Sequence, residues 1–257
     1  MADITKISAD NWDNLMELYM DIYRNSDGHN QTSCPISSGL SNTFGWPNFS
    51  ILANLERDLD SFLSKISEGI DQGMLAPMIL VHPELHNHNQ ITTIFEKNNI
   101  RQIGQWPLMY YDLNSSLPDY PMPNNFKIVY VDTKERLADW QQVASHVLFN
   151  DKSIPLSYLD TEKHALFVGY ENGLPAATVS VFFAEEYSSA HMVAVLPEYR
   201  NRGYGKLIMR AALKISAERG YMRCFCQSSK MGLKSWLALG YKISGYVDIF
   251  WKIGNPI

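Results

Sequence analysis

Arg200-Asn201-Arg202-Gly203-Tyr204-Gly205-Lys206 sets three cations and two glycines in one short stretch, a combination suited to holding phosphate. Guanidinium groups make charge-assisted hydrogen bonds to anionic oxygens. Glycines at 203 and 205 let an anion come close to the main chain. From Tyr204 onward the apolar residues Leu207, Ile208, Ala211 and Ile215 follow helical spacing. The first turn of a helix leaves amides without intrahelical partners at the positive end of the dipole, so this basic turn at a helix start is an anion site in outline. A second chemistry lies just upstream. His191 is the nearest side chain whose ordinary pKa suits a general base, and Glu186, or Glu185 beside it, could act through a water. Ser189 cannot serve as a base alone. Alternation predicts that Ser189, His191, Val193 and Val195 share one face of a strand.

For these groups to meet, a strand must end at a tight turn and a helix must begin there. The apolar run Val193-Ala194-Val195, stopped by Pro197, supplies the strand. A dinucleotide fingerprint would need a third glycine at position 208, where Ile stands, so a nicotinamide-dependent oxidoreductase is the weaker reading. His82, His86 and His88 have a spacing that invites a zinc test. The interleaved Pro83, Asn87 and Asn89 read as a polar loop with nothing to fix imidazole geometry, and no metal is expected. Cys34, Cys224 and Cys226 are too few for a disulfide framework; the last two, flanking Phe225 in a strand, read as small core residues.

The succession V-x-V, L-P and R-x-x-G-x-G at the head of a helix resembles the acetyl-CoA signature of the GNAT N-acetyltransferase superfamily. That resemblance implies direct acetyl transfer from the acetyl-CoA thioester to an amine, with no acyl-enzyme. It implies that main-chain groups of Val193, Ala194 and Val195 pair with the pantetheine arm, and that Arg200 through Gly205, with Lys206, cradle the pyrophosphate. Val193 N–H is the implied oxyanion donor, and family bases often sit at the position of Ser189. Two departures stand out. Trp236 occupies the place of the family's Tyr general acid, and an indole has no proton to give at neutral pH. Ser229 stands where many members have Asn, and it can still hydrogen-bond to the cofactor.

The remaining elements fit an α/β (α+β) chain with the GNAT fold, a mixed twisted sheet flanked by helices, plus a second, smaller α/β domain at the N-terminus. The order β, α, β, β, β, α, β, α, β is expected over residues 126–253. It includes a hairpin at Asn172-Gly173, strands at 189–196 and 221–227, and a helix at 230–239. Asn114–Asn125, with three prolines among polar residues, reads as a linker between a domain at 1–113 and the acetyl-CoA domain at 126–257. Within the first, a helix capped by Asp10 or Asn11 and ending near Arg24 is expected. A long loop at 25–47, a helix capped by Asn54, a short strand at 78–81 and a helix through Ile94 follow. The segment 100–113 reads as a strand pair broken near Pro107. This half resembles a degenerate GNAT-like copy without R-x-x-G-x-G, shaping the substrate side.

With 257 residues and a formal charge of −5, the chain has no global field favouring nucleic acid or an anionic membrane. Its start lacks a signal-peptide pattern and no apolar run nears the roughly 20 residues of a membrane span, so cytoplasm is expected. The expected activity is an acetyl-CoA-dependent N-acyltransferase acting on a small-molecule or peptide amine; the acceptor and the oligomeric state stay open. The alternative is a non-catalytic acyl-CoA-binding sensor or partner-binding module, motivated by Trp236 and the lack of an obvious base.

Overall fold

The computed structural model describes residues 3–25, 29–33, 36–40, 48–52, 58–81, 88–152 and 162–254. The N-terminal half runs α1 (Ile4–Asn25), β1 (His29–Ser33), β2 (Ile36–Leu40), β3 (Phe49–Leu52), α2 (Leu59–Asp71), β4 (Met78–Val81), α3 (His88–Lys97) and β5 (Ile100–Asp112). The C-terminal half runs β6 (Phe126–Tyr130), α4 (Lys134–Leu148), β7 (His164–Glu171), β8 (Leu174–Phe183), β9 (Ser188–Val195), α5 (Tyr204–Glu218), β10 (Arg223–Gln227), α6 (Leu233–Leu239) and β11 (Lys242–Lys252).

The eleven strands of the described residues join one mixed sheet in the order β1-β2-β3-β4-β11-β5-β10-β9-β8-β7-β6. The pairs β3–β4 and β9–β10 are parallel. The two halves exchange their last strands: β11, from the end of the chain, lies between β4 and β5, and β5 lies between β11 and β10. The sheet is therefore continuous across the segment 114–125. That segment is docked rather than loose, because Arg210 of α5 donates to Pro118 O at 2.6 Å and to Asp119 at 2.9 Å.

Apolar periodicity decides what faces what. Trp12, Leu15, Leu18 and Ile22 of α1 share one core with Trp140 of α4, on one face of the sheet. Leu207, Ile208 and Leu213 of α5 and Trp236 of α6 share a core on the opposite face. α2 and α3 cover β4 and the end of β11 through Leu63, Ile66 and Phe95.

Several sequence expectations are corrected. α1 begins at Ile4, where Asp3 accepts from Thr5 N at 3.0 Å, so Asp10 and Asn11 lie inside the helix and cap nothing. Residues 29–33 and 36–40, expected as loop, are paired strands. α2 is capped by Asp58; Asn54 lies outside the described residues. β5 is one unbroken strand. Pro107 fits within it because its carbonyl accepts from Ser228 N just beyond the last β5–β10 pair, Leu108 with Gln227. Its missing N–H would point to that same side, where no strand asks for a donor. Asn172 and Gly173 both have positive φ, 49° and 85°, as a tight two-residue hairpin requires.

Candidate active site

After β9 the chain makes one short 3-10 turn at Pro197–Tyr199 and then reverses through Arg200–Gly203. Asn201 and Gly203 have φ of 62° and 84°. Gly203 is the N-cap of α5 and offers no side chain to the first helical amides. A Cβ at Gly203 would meet nothing within 4 Å, and one at Gly205 only Val195 Cγ2 at 3.8 Å, so open space adjoins this backbone. Uncapped amides, the positive end of a fifteen-residue helix and flanking cations make a fitting cradle for a pyrophosphate.

The two arginines of the turn do different things. Arg200 is exposed; its Nε donates to Val195 O at 3.1 Å, which folds its guanidinium back over the end of β9. Arg202 was expected at the phosphate, and its side chain is instead committed to Glu171. Its Nη1 donates to both carboxylate oxygens at 2.8 and 2.6 Å, and its Nη2 to Glu198 O. Glu171, at the end of β7, also accepts from the Tyr204 hydroxyl at 2.6 Å and from Asn125 at 3.0 Å. The Tyr204 hydroxyl first, and then the Arg202 guanidinium, hold this carboxyl below the usual range. Arg202 thus braces the turn while Arg200 and Lys206 remain beside the cradle.

β9 and β10 pair at Ser188–Cys224 and Ser189–Phe225, and their ladder goes no further. Beyond Ser189 the edge of β9 that faces β10 is open as a wedge. Within the wedge β9 bulges: Met192 and Val193 together oppose Val179 of β8, and Met192 sits at φ 52°. The extra residue flips the alternation. Ser189 and His191 stand on the α1/α4 face, opposite Phe182 and Ser180, whereas Val193 and Val195 stand on the α5 face. The expected single face for all four residues is therefore wrong: Ser189 and His191 fall on one face, and Val193 and Val195 on the other.

His191 hydrogen-bonds through Nε2 to the buried Ser189 Oγ at 2.7 Å. Desolvation, and then the charge of nearby His164, push its pKa down to about 3. An ordinary histidine base near neutrality is thus replaced by an imidazole that stays neutral. Glu186 is exposed in the turn before β9, roughly 20 Å from the bulge at about 3.3 Å per residue, and is not brought to the site.

One cleft of about 780 Å³ gathers the rest: Val193, Ala194, Val195, Arg200, Asn201, Gly203, Tyr204, Gly205, Lys206 and Ser229, with His191 and Trp236. Ser229 Oγ accepts from Gly232 N at 3.2 Å in the turn before α6, leaving its own hydrogen to donate. Trp236 lines the wall without a titratable proton. Gln227 and Met231 are among the cleft residues that went unread in the sequence. Gln227 ends a strand beside a parallel neighbour, the place where open sheets bind ligands, and that signal would have found it. His82, His86 and Cys34 lie outside the described residues; among those described, no group of three His, Cys, Asp or Glu is gathered for a metal. No described helix is long and apolar enough to cross a membrane.

Residues 134–241 match the sequence model of the acetyltransferase (GNAT) family. A GCN5-related N-acetyltransferase from Kribbella flavida aligns with a TM-score of 0.72 at 15% identity, over 99% of this chain and 97% of its own. A GCN5-related N-acetyltransferase from Sphaerobacter thermophilus aligns with a TM-score of 0.61 at 14% identity, over 84% and 75%. A tandem GNAT protein from the clavulanic acid biosynthesis pathway aligns with a TM-score of 0.59 at 12% identity, over 84% and 77%. At such identities the likeness is one of fold, and it extends through both halves of the chain.

Proposed function

Because residues 134–241 match the model of the acetyltransferase (GNAT) family, we propose that this chain moves an acetyl group from acetyl-CoA directly to a primary amine. The observation that carries this reading is the uncapped start of α5, with Arg200 and Lys206 beside it, at the mouth of the wedge between β9 and β10. Acetyl-CoA supplies, when bound, an acetyl group activated as a thioester. The amides of Gly203, Tyr204 and Gly205 and the side chains of Arg200 and Lys206 hold its pyrophosphate. The open edge of β9 offers main-chain groups of Val193 and Val195 to its amide-bearing arm, and Ser229 adds a donor.

The acceptor enters from the α1/α4 face, where His191 stands. The amide of Val193, at the bulge where the ladder is interrupted, donates to the oxygen that gains charge as the amine attacks. His191 is too weak a base to keep the amine's proton. The wedge takes the amine as its free base, and the imidazole, set by Ser189, orients it. As the C–N bond forms and the C–S bond breaks, the proton shed by the nitrogen passes, directly or through water, to the departing thiolate, which needs no strong acid, and this suits Trp236 at that wall.

Calorimetric titration with acetyl-CoA, with NADH and dephospho-CoA as controls, tests the cofactor. It is followed by thiol release with spermidine, glucosamine, an aminoglycoside, lysine and a peptide with a free N-terminus. Micromolar acetyl-CoA binding, weakened roughly tenfold or more by Arg200→Ala, is expected, together with turnover of at least one amine. Absence of binding overturns the reading. Tight binding without turnover of any of these amines replaces it with the acyl-CoA sensor.

A further inference from the structure

Asn11 is wholly buried in α1, a helix of the N-terminal half, yet its amide reaches both β5 and the wedge. Its Nδ2 donates to Met109 O of β5 at 2.9 Å. Because a main-chain carbonyl can only accept, this contact fixes which end of the Asn11 amide is which. Oδ1 is thereby turned toward β10, where it accepts from Gln227 Nε2 at 2.7 Å. The second contact fixes the Gln227 amide in turn. With Nε2 tied to Asn11, Oε1 is the end left over, and among the described residues nothing donates to it.

Gln227 lines the cleft from β10, as His191 lines it from β9. By alternation Gln227 shares the face of Phe225, whose ring meets that of Tyr187, and lies opposite Cys224 and Cys226, which face α5. His191 and Gln227 therefore flank the wedge on its acceptor side, on the two strands that diverge to open it. A neutral primary amine brings two N–H donors and one lone pair, and it attacks only when the lone pair is directed at the carbonyl carbon.

We infer that Gln227 binds the acceptor, its Oε1 taking an N–H of the incoming amine, and that Asn11 is the positioning residue through which the N-terminal half aims it. This rests on the transferase reading above. It gives the N-terminal half a specific part in acceptor recognition, apart from the cofactor turn.

The test compares wild type with Gln227→Met, which keeps the length and volume of the side chain and removes Oε1. Asn11→Ser, which releases Nε2, and the double variant complete the cycle. Acetyl-CoA affinity is read by calorimetry, folding by Tm, and kcat/KM with whichever of the five amines turns over fastest. The expected result is acetyl-CoA affinity within about twofold of wild type and a fall of roughly tenfold in kcat/KM for the amine in each single variant. The double variant should fall little further than either single one, since both remove the same aimed acceptor. Should Asn11→Ser fail to fold, Gln227→Met alone decides. A folded Gln227→Met with unchanged amine kinetics overturns the inference while leaving the transferase reading intact. If acetyl-CoA does not bind wild type, or no amine turns over, the transferase reading falls and this inference with it.

Discussion

His191 holds a protonation state that its ordinary pKa hides. In the unfolded chain its imidazole titrates near 6.5, and in the folded protein near 3, because charging it means charging a half-buried, largely desolvated ring with His164 close by. Between those values the unfolded chain binds more protons. Stability is therefore full above about pH 6.5 and is withdrawn as pH falls toward 3, at about 1.4 kcal/mol per unit. Melting curves of wild type and His191→Gln between about pH 6.5 and 4.5 check this: the wild-type Tm should fall more steeply, and parallel curves would show that the ring charges freely. Activity should show no inflection from this histidine near neutrality, only the rise set by the amine's own ionisation. The residue types at this site were legible in the sequence, but their partners were not. Arg200 and Arg202 look equivalent within the turn. They are told apart by Glu171, which reaches the turn from the end of β7 through tertiary structure. Gln227 gives no hint of Asn11, which lies at the other end of the chain.

Elements decide which helix start can take an anion, and the two halves answer oppositely. In α2, Asp58 Oδ1 already accepts from Ser61 N at 3.1 Å and Asp60 follows in the first turn, so carboxylates fill and repel at the place where phosphate would sit. In α5 the cap is Gly203, with nothing in that place. Of these two starts only that of α5 suits an anion, and titration should give a stoichiometry near one. The role of Gly203 can be separated from plain backbone strain by using Gly73 as its control. Both have positive φ, 84° and 70°, and an added Cβ at either would meet nothing within 4 Å. Alanine at either position should cost about 1–2 kcal/mol of stability through the left-handed backbone alone. Gly203→Ala should also weaken acetyl-CoA binding about tenfold, because the amides that line the cradle turn with it. Gly73→Ala should leave binding unchanged, and equal affinities in the two variants would remove Gly203 from the cradle. The strand, basic turn and helix were legible because glycine, arginine and helical period coincide there. The bulge in β9 was not, since Met192 carries no composition cue for a positive φ. Assuming plain alternation put His191 on the wrong face.

At the scale of the whole molecule the exchange of β5 and β11 governs what can exist alone. Hydropathy and the proline-rich run at 114–125 mark a boundary in the chain, but no local pattern reveals that each half completes the other's sheet, since strand pairing across more than a hundred residues leaves no trace in sequence period. Cutting at that boundary would strip β10 of β5 and β11 of both β4 and β5, leaving three newly exposed edges and removing Met109 and Tyr111 from the core that supports α5. A fragment of residues 114–257 should accordingly fail to fold as a monomer and fail to bind acetyl-CoA, although it holds every residue of the cradle. Co-expressed with residues 1–113 it should recover both. The intact chain should melt in one calorimetric transition whose van't Hoff and calorimetric enthalpies agree. Acetyl-CoA at a hundredfold over its Kd should raise that transition as a unit, by about 2.7 kcal/mol. Two transitions, with only the later part of the chain responding to ligand, would mean that the shared strands do not couple the halves. The cofactor site would then owe nothing to the N-terminal half beyond the acceptor side.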